Sequence, residues 1–154
     1  MALTKEATII NYLATEFAKI DGIQATFGFA QNPDALKPAQ LPAIVFIPES
    51  FQSSLRAHHN RHQNELNITG ILFVAPRESR GGKLKFIENA TIPFMYSVRS
   101  HFQSESVMKG MLALGGLTQA GIVSGEYGVG GNYLNYAGID HIGLIFRWAF
   151  IEIN

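Results

Sequence analysis

Residues 139–153 read Ile-Asp-His-Ile-Gly-Leu-Ile-Phe-Arg-Trp-Ala-Phe-Ile-Glu-Ile, and this segment predicts a long β-strand. Successive side chains of a strand point to opposite faces. One face then carries Ile142, Leu144, Phe146, Trp148 and Phe150. The other face carries His141, Gly143, Ile145, Arg147, Ala149 and Ile151. Both faces are therefore largely apolar, with a single arginine among aliphatic neighbours.

The length of this segment conflicts with the size of a compact domain. Fully extended, it would reach about 50 Å at roughly 3.3 Å per residue, whereas a domain of this length has a diameter of roughly 38 Å. We expect the strand to bend at Gly138 or Gly143, or part of it to lie against a neighbouring subunit.

Five other strand-like segments precede residue 133. Residues 24–30 form the first, and Ala43 to Ile47, bounded by Pro42 and Pro48, is typical of a central strand. Residues 51–57 and 65–74 alternate in polarity and predict a hairpin, joined by the polar residues 59–64 and projecting from the main body. Residues 117–125 form another strand, which the glycine-rich turn 128–131 separates from a last strand at about 133–153.

Two helices are predicted. The apolar residues of the first segment recur every three or four positions, which indicates an amphipathic helix over about residues 4–20, capped by Thr4 and ended by Asp21-Gly22. The second helix starts near Pro93 and runs through Phe102, and residues 108–116 link it to the next strand. Between the hairpin and this helix, residues 76–83 predict a mobile loop.

Composition excludes several classes of protein. The 154 residues are 47% hydrophobic and 16% charged, with twelve basic and twelve acidic residues, which is typical of one globular domain spanning residues 1–154 rather than of a disordered chain. The apolar runs are too short for a membrane span, and we expect neither a membrane protein nor a secreted precursor. The absence of cysteine excludes disulfides, thiolate metal sites and cysteine nucleophiles, and fits a reducing compartment. The zero net charge argues against tight, autonomous DNA binding.

The candidate motifs for chemistry are weak. His58, His59 and His62 cluster, but in a strand-and-turn pattern, so a solvated or subunit-facing hairpin tip is favoured over a metal site. The glycines at 125–131 precede a strand-like segment rather than a helix, which argues against phosphate binding. Ser124 lacks the Gly-x-Ser-x-Gly turn of a serine nucleophile. No two carboxylates are forced together, and a role for His141 and Arg147 in a subunit contact is favoured over catalysis.

Four segments, taken in order, resemble one protein family. They are Lys19-Ile20-Asp21-Gly22-Ile23, the strand entry at residues 40–48, the helix after the loop at 77–83, and the ending at residues 127–146. The ending contains Gly-Ile-x-x-Ile-Gly-x-x-Phe, from Gly138 to Phe146. In this order the chain resembles bacteriophage tail terminator and related head-to-tail neck proteins. Pro93 and the His-rich hairpin tip depart from the family pattern.

The resemblance implies a fold and an assembly. The fold is α+β, with a central mixed, mainly antiparallel sheet, two helices packed on one side and a projecting β-hairpin. The assembly is a ring, expected to be a hexamer, at the end of the tail tube, with neither a catalytic site nor a cofactor or metal. Its partners would be other copies of the chain, the tail tube protein and a head-completion or neck protein. DNA would pass through the lumen without specific binding, and the protein would reside in the virion after assembly in the host cytoplasm.

Physical reasoning narrows the expected subunit contacts to residues that project from the core. The hairpin arm, the loop after it and the edge of the last strand are the expected contact surfaces. The candidate interface residues are Arg56, His58, His59, Arg61, His62, Arg77, Arg80, Lys83 and Arg147.

Two alternatives stay open. One is a small ligand-binding or enzymatic α+β domain with a pocket that uses Tyr136, His141 and Arg147. The other is a different virion component, namely a tube, head-completion or baseplate protein.

Overall fold

The computed structural model describes residues 4–56, 61–77, 91–129 and 132–153, with the backbone alone at 54–56, 61, 62 and 153. The helices are α1 (Lys5–Phe17), α2 (Thr91–Phe102) and α3 (Glu105–Leu112), and a 3₁₀ turn covers Pro38–Gln40. The strands are β1 (Ala25–Thr26), β2 (Ala43–Arg56), β3 (Arg61–Pro76), β4 (Leu117–Gly128), β5 (Leu134–Tyr136) and β6 (Ile139–Ile153).

The strands form a six-stranded mixed sheet in the order β1-β2-β3-β6-β4, with β5 also paired to β6. Only the short pairing of β1 with β2 is parallel, and every other pairing is antiparallel. The fold is therefore α+β with a mainly antiparallel sheet, as expected, and β2 and β3 form the long hairpin.

The main core lies between one face of the sheet and the helices. Trp148 on β6 is fully buried and meets Phe17 of α1 and Phe102 of α2, with ring centroids 5.8 and 5.3 Å away. Phe46 of β2 and Phe146 of β6 complete this aromatic cluster. The apolar face predicted for β6 is thus the face that the helices cover.

A second, smaller core lies on the opposite face of the sheet. Phe73 of β3 and Val45 of β2 are buried there with Leu36, and Tyr136 of β5 packs against them. The connection between β1 and β2 and the short strand β5 supply this cover. Among the described residues, this cover reaches only the end of that face near Phe73.

β6 does not behave as the length argument predicted. Ala137 and Gly138, with φ of 52° and 85°, form the turn between β5 and β6, so the strand expected from residue 133 is two strands. β6 itself is a continuous strand, because β3 pairs with it from His141 to Ile153 and β4 from Gly143 to Glu152. Both edges of β6 are therefore occupied within the chain, and the expected pairing of its edge across subunits is wrong.

β2 is longer than predicted because it continues through Pro48. Pro48 pairs with Ile68 and Ser50 with Asn67, so Glu49 is the extra residue of a β-bulge. Proline lacks an N–H donor and is confined in sheets to edges and bulges. Pro48 meets both conditions, since β1 ends its pairing at Ile44 and leaves this part of β2 at an edge of the described sheet.

The connections also differ from expectation. The first strand is only Ala25–Thr26, since the chain turns at Ala30 with φ of 61°. The linker predicted at 108–116 contains most of α3, whose Val107 and Met111 lie on one buried face. Three helices, not two, are thus packed on the sheet in the part of the chain that the structure describes. The loop predicted at 76–83 lies outside the described residues beyond Arg77.

Both predicted helices are confirmed, with shifted ends. Thr4 caps α1 by accepting a hydrogen bond from the Ala7 N–H at 3.2 Å, and α1 ends at Phe17. α2 begins at Thr91, which places Pro93 in its first turn. Amide groups of a first turn have no acceptor within the helix, so proline costs nothing there.

Candidate interaction surface

In the ranges that the structure describes, no element covers the face of the sheet opposite the helices beyond the second core, and we call this uncovered area the open face. The registers of β2, β3, β6 and β4 align its side chains in rows across the sheet. One row is Ile47, Thr69, Arg147 and Ser124, and the next towards the hairpin tip is Ser50, Asn67, Ala149 and Gly121. Ile145, Ile151 and Glu126 lie on the same face.

A polar network crosses the open face. Arg147 Nη1 lies 3.2 Å from Glu126 Oε1, and its Nε lies 3.9 Å from Glu49 Oε2. The same Glu49 oxygen accepts a hydrogen bond of 2.7 Å from Thr69 Oγ1. Four strands are thereby linked through one guanidinium, and the charge of Arg147 is balanced by two carboxylates.

The neighbours of this network on β6 are aliphatic, whereas the other strands place Ser50, Asn67 and Ser124 on the same face. Ile145, Ala149 and Ile151 on β6 are only partly buried, and Ile47 is 44% exposed. An antiparallel sheet with one wet face normally alternates apolar and polar residues, with the polar ones in water. At these outward positions β6 instead carries aliphatic side chains, which is typical of a face that another body covers.

The predicted interface residues occupy three separate places. Arg147 lies at the centre of the open face, as described above. Arg77 lies beside the start of β6, where its Nη1 is 3.6 Å from Asp140 Oδ2 and its guanidinium carbon 4.6 Å from the centre of the Tyr133 ring. Arg56 pairs with Arg61 in backbone register at the end of the hairpin, next to His62. His58, His59, Arg80 and Lys83 lie outside the described residues.

These places do not form one site. Six residues separate His141 from Arg147 along β6, which is about 20 Å at the rise of an extended strand, and Arg77 lies at the His141 end. Another six separate Arg147 from Ile153, near the hairpin end. The residues that were predicted together are therefore distributed along the whole length of the sheet.

His141 and Tyr136 have structural surroundings. His141 is 2% exposed, its ring packs edge-on against Phe73, and Nδ1 donates to the Ile139 carbonyl at 2.9 Å. The Tyr136 hydroxyl donates to the Pro33 carbonyl. The pocket that would combine these two residues with Arg147 is not formed, because Arg147 lies about 20 Å further along β6.

The burial of His141 predicts a pH dependence of stability. Burial lowers the pKa of His141 from its ordinary value, although hydrogen bonds to backbone and the charge of Asp140 oppose the shift. Below about pH 6.5 the unfolded chain binds a proton that the folded chain does not, so stability falls as the pH drops. We expect the stability of the wild type relative to His141→Phe to decrease from about pH 7.5 to about pH 5.5 in urea denaturation.

Taking this difference cancels the contributions of the other histidines, which both proteins share. A difference that stays constant between the two pH values would contradict the assignment.

Sequence reasoning missed the partners of Arg147 and one buried acid. Glu49, Thr69 and Glu126 are far apart in sequence, and no local pattern links them. Glu16, 5% exposed, accepts hydrogen bonds from Lys19 Nζ at 2.6 Å and His101 Nε2 at 3.1 Å, which ties α1 to α2. As a charged residue, Glu16 is not part of the apolar stripe of α1, and only the packing of α2 shows why it is buried.

Comparison with protein-family models gave no matching family, and comparison with curated proteins gave no match. Within residues 4–56, 61–77, 91–129 and 132–153, no group of three or more histidine and carboxylate side chains is placed to hold a metal ion. In the same ranges, no helix combines the length and the apolar character needed to cross a membrane.

Proposed function

We propose that this protein is a structural subunit that assembles with copies of itself into a closed ring, of the kind that ends a phage tail tube or joins the tail to the head. The order of sequence segments that resembles tail terminator and neck proteins supports this proposal. The open face is the single observation that carries it.

The open face needs cover because its central strand is aliphatic on that side. A sheet with helices on one face has two layers, and stable domains bury each apolar face against another element. Here the second core covers only the end near Phe73, and Ile145, Ala149 and Ile151 remain partly in water. A neighbouring subunit would supply the missing layer.

The hairpin arm gives the subunit a second, different contact surface. At its base Leu66 is 4% exposed against the helices, whereas Phe51, its partner in register, is 68% exposed. The pairs Leu55–His62 and Arg56–Arg61 then extend past Gln63, the last residue of β3 that pairs with β6. Contacts between two unlike surfaces are heterologous, and heterologous contacts close into rings when the rotation between subunits allows it.

The function of such a ring is geometric. A closed ring of six copies would block further addition of tail tube protein and present a new surface to a head-completion or neck protein. The polar network on the open face would orient neighbouring subunits, since a charged residue in an interface costs free energy unless it is paired. A neutral subunit lets DNA pass through the lumen without retaining it.

Substitutions on the open face test the assembly. Ile47→Glu and Ala149→Glu would each bury an unpaired carboxylate in the proposed contact, and we expect both to abolish rings. Met108→Glu on α3 is the control, because Met108 is 40% exposed on the helical side. Native mass spectrometry and electron microscopy of each protein, alone and with tail tubes, measure the outcome. A wild type that stays monomeric in both conditions would refute the proposal.

The role in a phage is tested by the particle that lacks the protein. We expect tails of abnormal length, or tails that fail to join heads. Normal tail length together with normal head joining would exclude both roles.

A further inference from the structure

β4 lies at an edge of the sheet. It pairs with β6 on one side, and no strand among the described residues pairs with it on the other. The opposite edge is formed by the two residues of β1 and, beyond Ile44, by β2, which Pro48 interrupts. The free edge of β4, Leu117–Gly128, offers an uninterrupted row of backbone donors and acceptors that a second extended chain could use.

A groove runs between this edge and α2, and we call it the β4 groove. Its volume is about 130 Å³, and its walls include Met95, Arg99, Gln103, Ile122, Gly125 and Phe146. Pockets for drug-sized ligands have roughly 300–1,000 Å³, whereas an apolar cavity of about 150 Å³ holds a molecule the size of benzene. The β4 groove is thus suited to a single apolar side chain.

Gly125 lets Met95 and Phe146 approach the backbone of β4 closely at the groove. A Cβ atom at this position would lie 2.8 Å from Met95 Sδ and 3.3 Å from the Phe146 ring. In a paired strand, the residue opposite Gly125 points to the same face as Gly125. The side chain of a chain added to β4 at this point would therefore lie over the groove and contact Met95.

The rim of the groove is positively charged. Arg99 is exposed on α2, with its guanidinium carbon 5.9 Å from the Tyr96 ring centre, and it has no carboxylate within ion-pair distance in the part of the chain that the structure describes. Gln103, one helical turn further, adds an amide. A carboxylate is the group that Arg99 would bind best.

We propose that the β4 groove binds an extended segment of another protein, which adds to the sheet at β4. The segment carries an aliphatic residue opposite Gly125 and an Asp or Glu two positions away, on the same face, to pair with Arg99. Main-chain hydrogen bonds supply affinity in this binding mode, and pockets for alternate side chains supply specificity. The proposal is independent of ring assembly, because it uses neither the open face nor the hairpin arm.

A second copy of β4 does not fit this description. On the face that Gly125 occupies, β4 carries Ala120, Ile122 and Tyr127 and no carboxylate. Glu126 points to the open face, towards Arg147. Pairing of two β4 strands would leave both Arg99 side chains without an acid.

Selection from a displayed library of random ten-residue peptides on the full-length protein tests the proposal. We expect enriched peptides to share an aliphatic residue two positions from Asp or Glu, and their binding to slow hydrogen exchange in residues 122–128. Arg99→Glu, which reverses an exposed charge and leaves the core intact, should weaken their binding at least about tenfold. Gly125→Val, whose side chain would displace Met95 into the groove, should do the same, and Lys109→Glu on α3 is the charge control.

Three outcomes would overturn the proposal. One is enrichment without the aliphatic and acidic pattern, and another is binding that neither Arg99→Glu nor Gly125→Val changes. The third is that the wild type forms a dimer, that the selected peptides dissociate this dimer, and that the Gly125→Val variant does not form it. This outcome would assign the groove to a second copy. Since Arg99 is exposed, its variant decides the matter even where Gly125→Val fails to fold. If the open-face variants fail to form rings but still bind the selected peptides, the β4 groove and the assembly surface are separate sites.

Discussion

Trp148→Ala is expected to lower the free energy of unfolding by about 3–5 kcal/mol, in the range of large aromatic truncations in cores. The side chain is fully buried, and its ring lies within 6.2 Å, centre to centre, of four phenylalanine rings. These rings come from α1, α2, β2 and β6, so the cavity would open where the sheet meets two helices. Urea denaturation followed by circular dichroism measures the loss, since Trp148 is the only tryptophan.

Phe51→Ala is the matched control, because this aromatic side chain is 68% exposed. We expect a change within about 0.5 kcal/mol for it. Trp148→Phe should cost less than Trp148→Ala for two reasons: it keeps an aromatic ring, and it removes an indole N–H that has no hydrogen-bond partner among the described residues. Equal stability of Trp148→Ala and Phe51→Ala would contradict the placement of Trp148 at the centre of the core.

Gly143→Ala is expected to destabilise the protein by more than about 3 kcal/mol, above the usual cost of overpacking. A Cβ at Gly143 would lie 1.9 Å from the backbone oxygen of Leu72. This oxygen belongs to β3 beside its bulge between Phe73 and Ala75, so it cannot rotate away as a side chain would. The two central strands would have to separate.

Gly121→Ala on β4 is the control, because its Cβ would have no atom within 4 Å. We expect its thermal midpoint to stay within about 2 °C of the wild type, and that of Gly143→Ala to fall by about 10 °C or more. If the two variants have the same thermal midpoint, the close approach of β3 to β6 at Gly143 would be wrong.

The elements that were predicted correctly are those whose burial pattern is local. The apolar stripe of α1 and the alternation along β3 and β6 repeat with the period of a helix or strand, so neighbouring residues carry the signal. Leu66, Ile68 and Leu72 on β3 accordingly share the helical face with Trp148 on β6. The polar tip between β2 and β3 similarly predicted their pairing.

The elements that were predicted wrongly depend on partners distant in sequence. Pro48 reads as a strand end, but β2 continues because a bulge at Glu49 and an open edge tolerate the missing donor. α3 is short, and its Val107 and Met111 become a recognisable face only once α1 and β4 lie against them. The length of β6 suggested a bend or a second subunit, whereas β3 and β4 simply extend along it.

Arg147 was singled out from the sequence as a candidate subunit contact, which stays a prediction. Its position among aliphatic residues drew attention to it, and the structure pairs it with Glu49 and Glu126 of the same chain. These acids come from strands on either side, 98 and 21 positions away in sequence, so no spacing rule could have identified them. The β4 groove was missed for the same reason, since Met95 and Gly125 meet only through packing.

The amino-acid order alone determined which faces of α1, β3 and β6 are apolar, because burial repeats with the geometry of each element. Strand order, the bulges that fit long strands together and the partners of Arg147 were decided only by the tertiary structure. These features depend on which distant segments pack together. That packing is stabilised by contacts between residues far apart in sequence, which the local repeat of apolar residues does not specify.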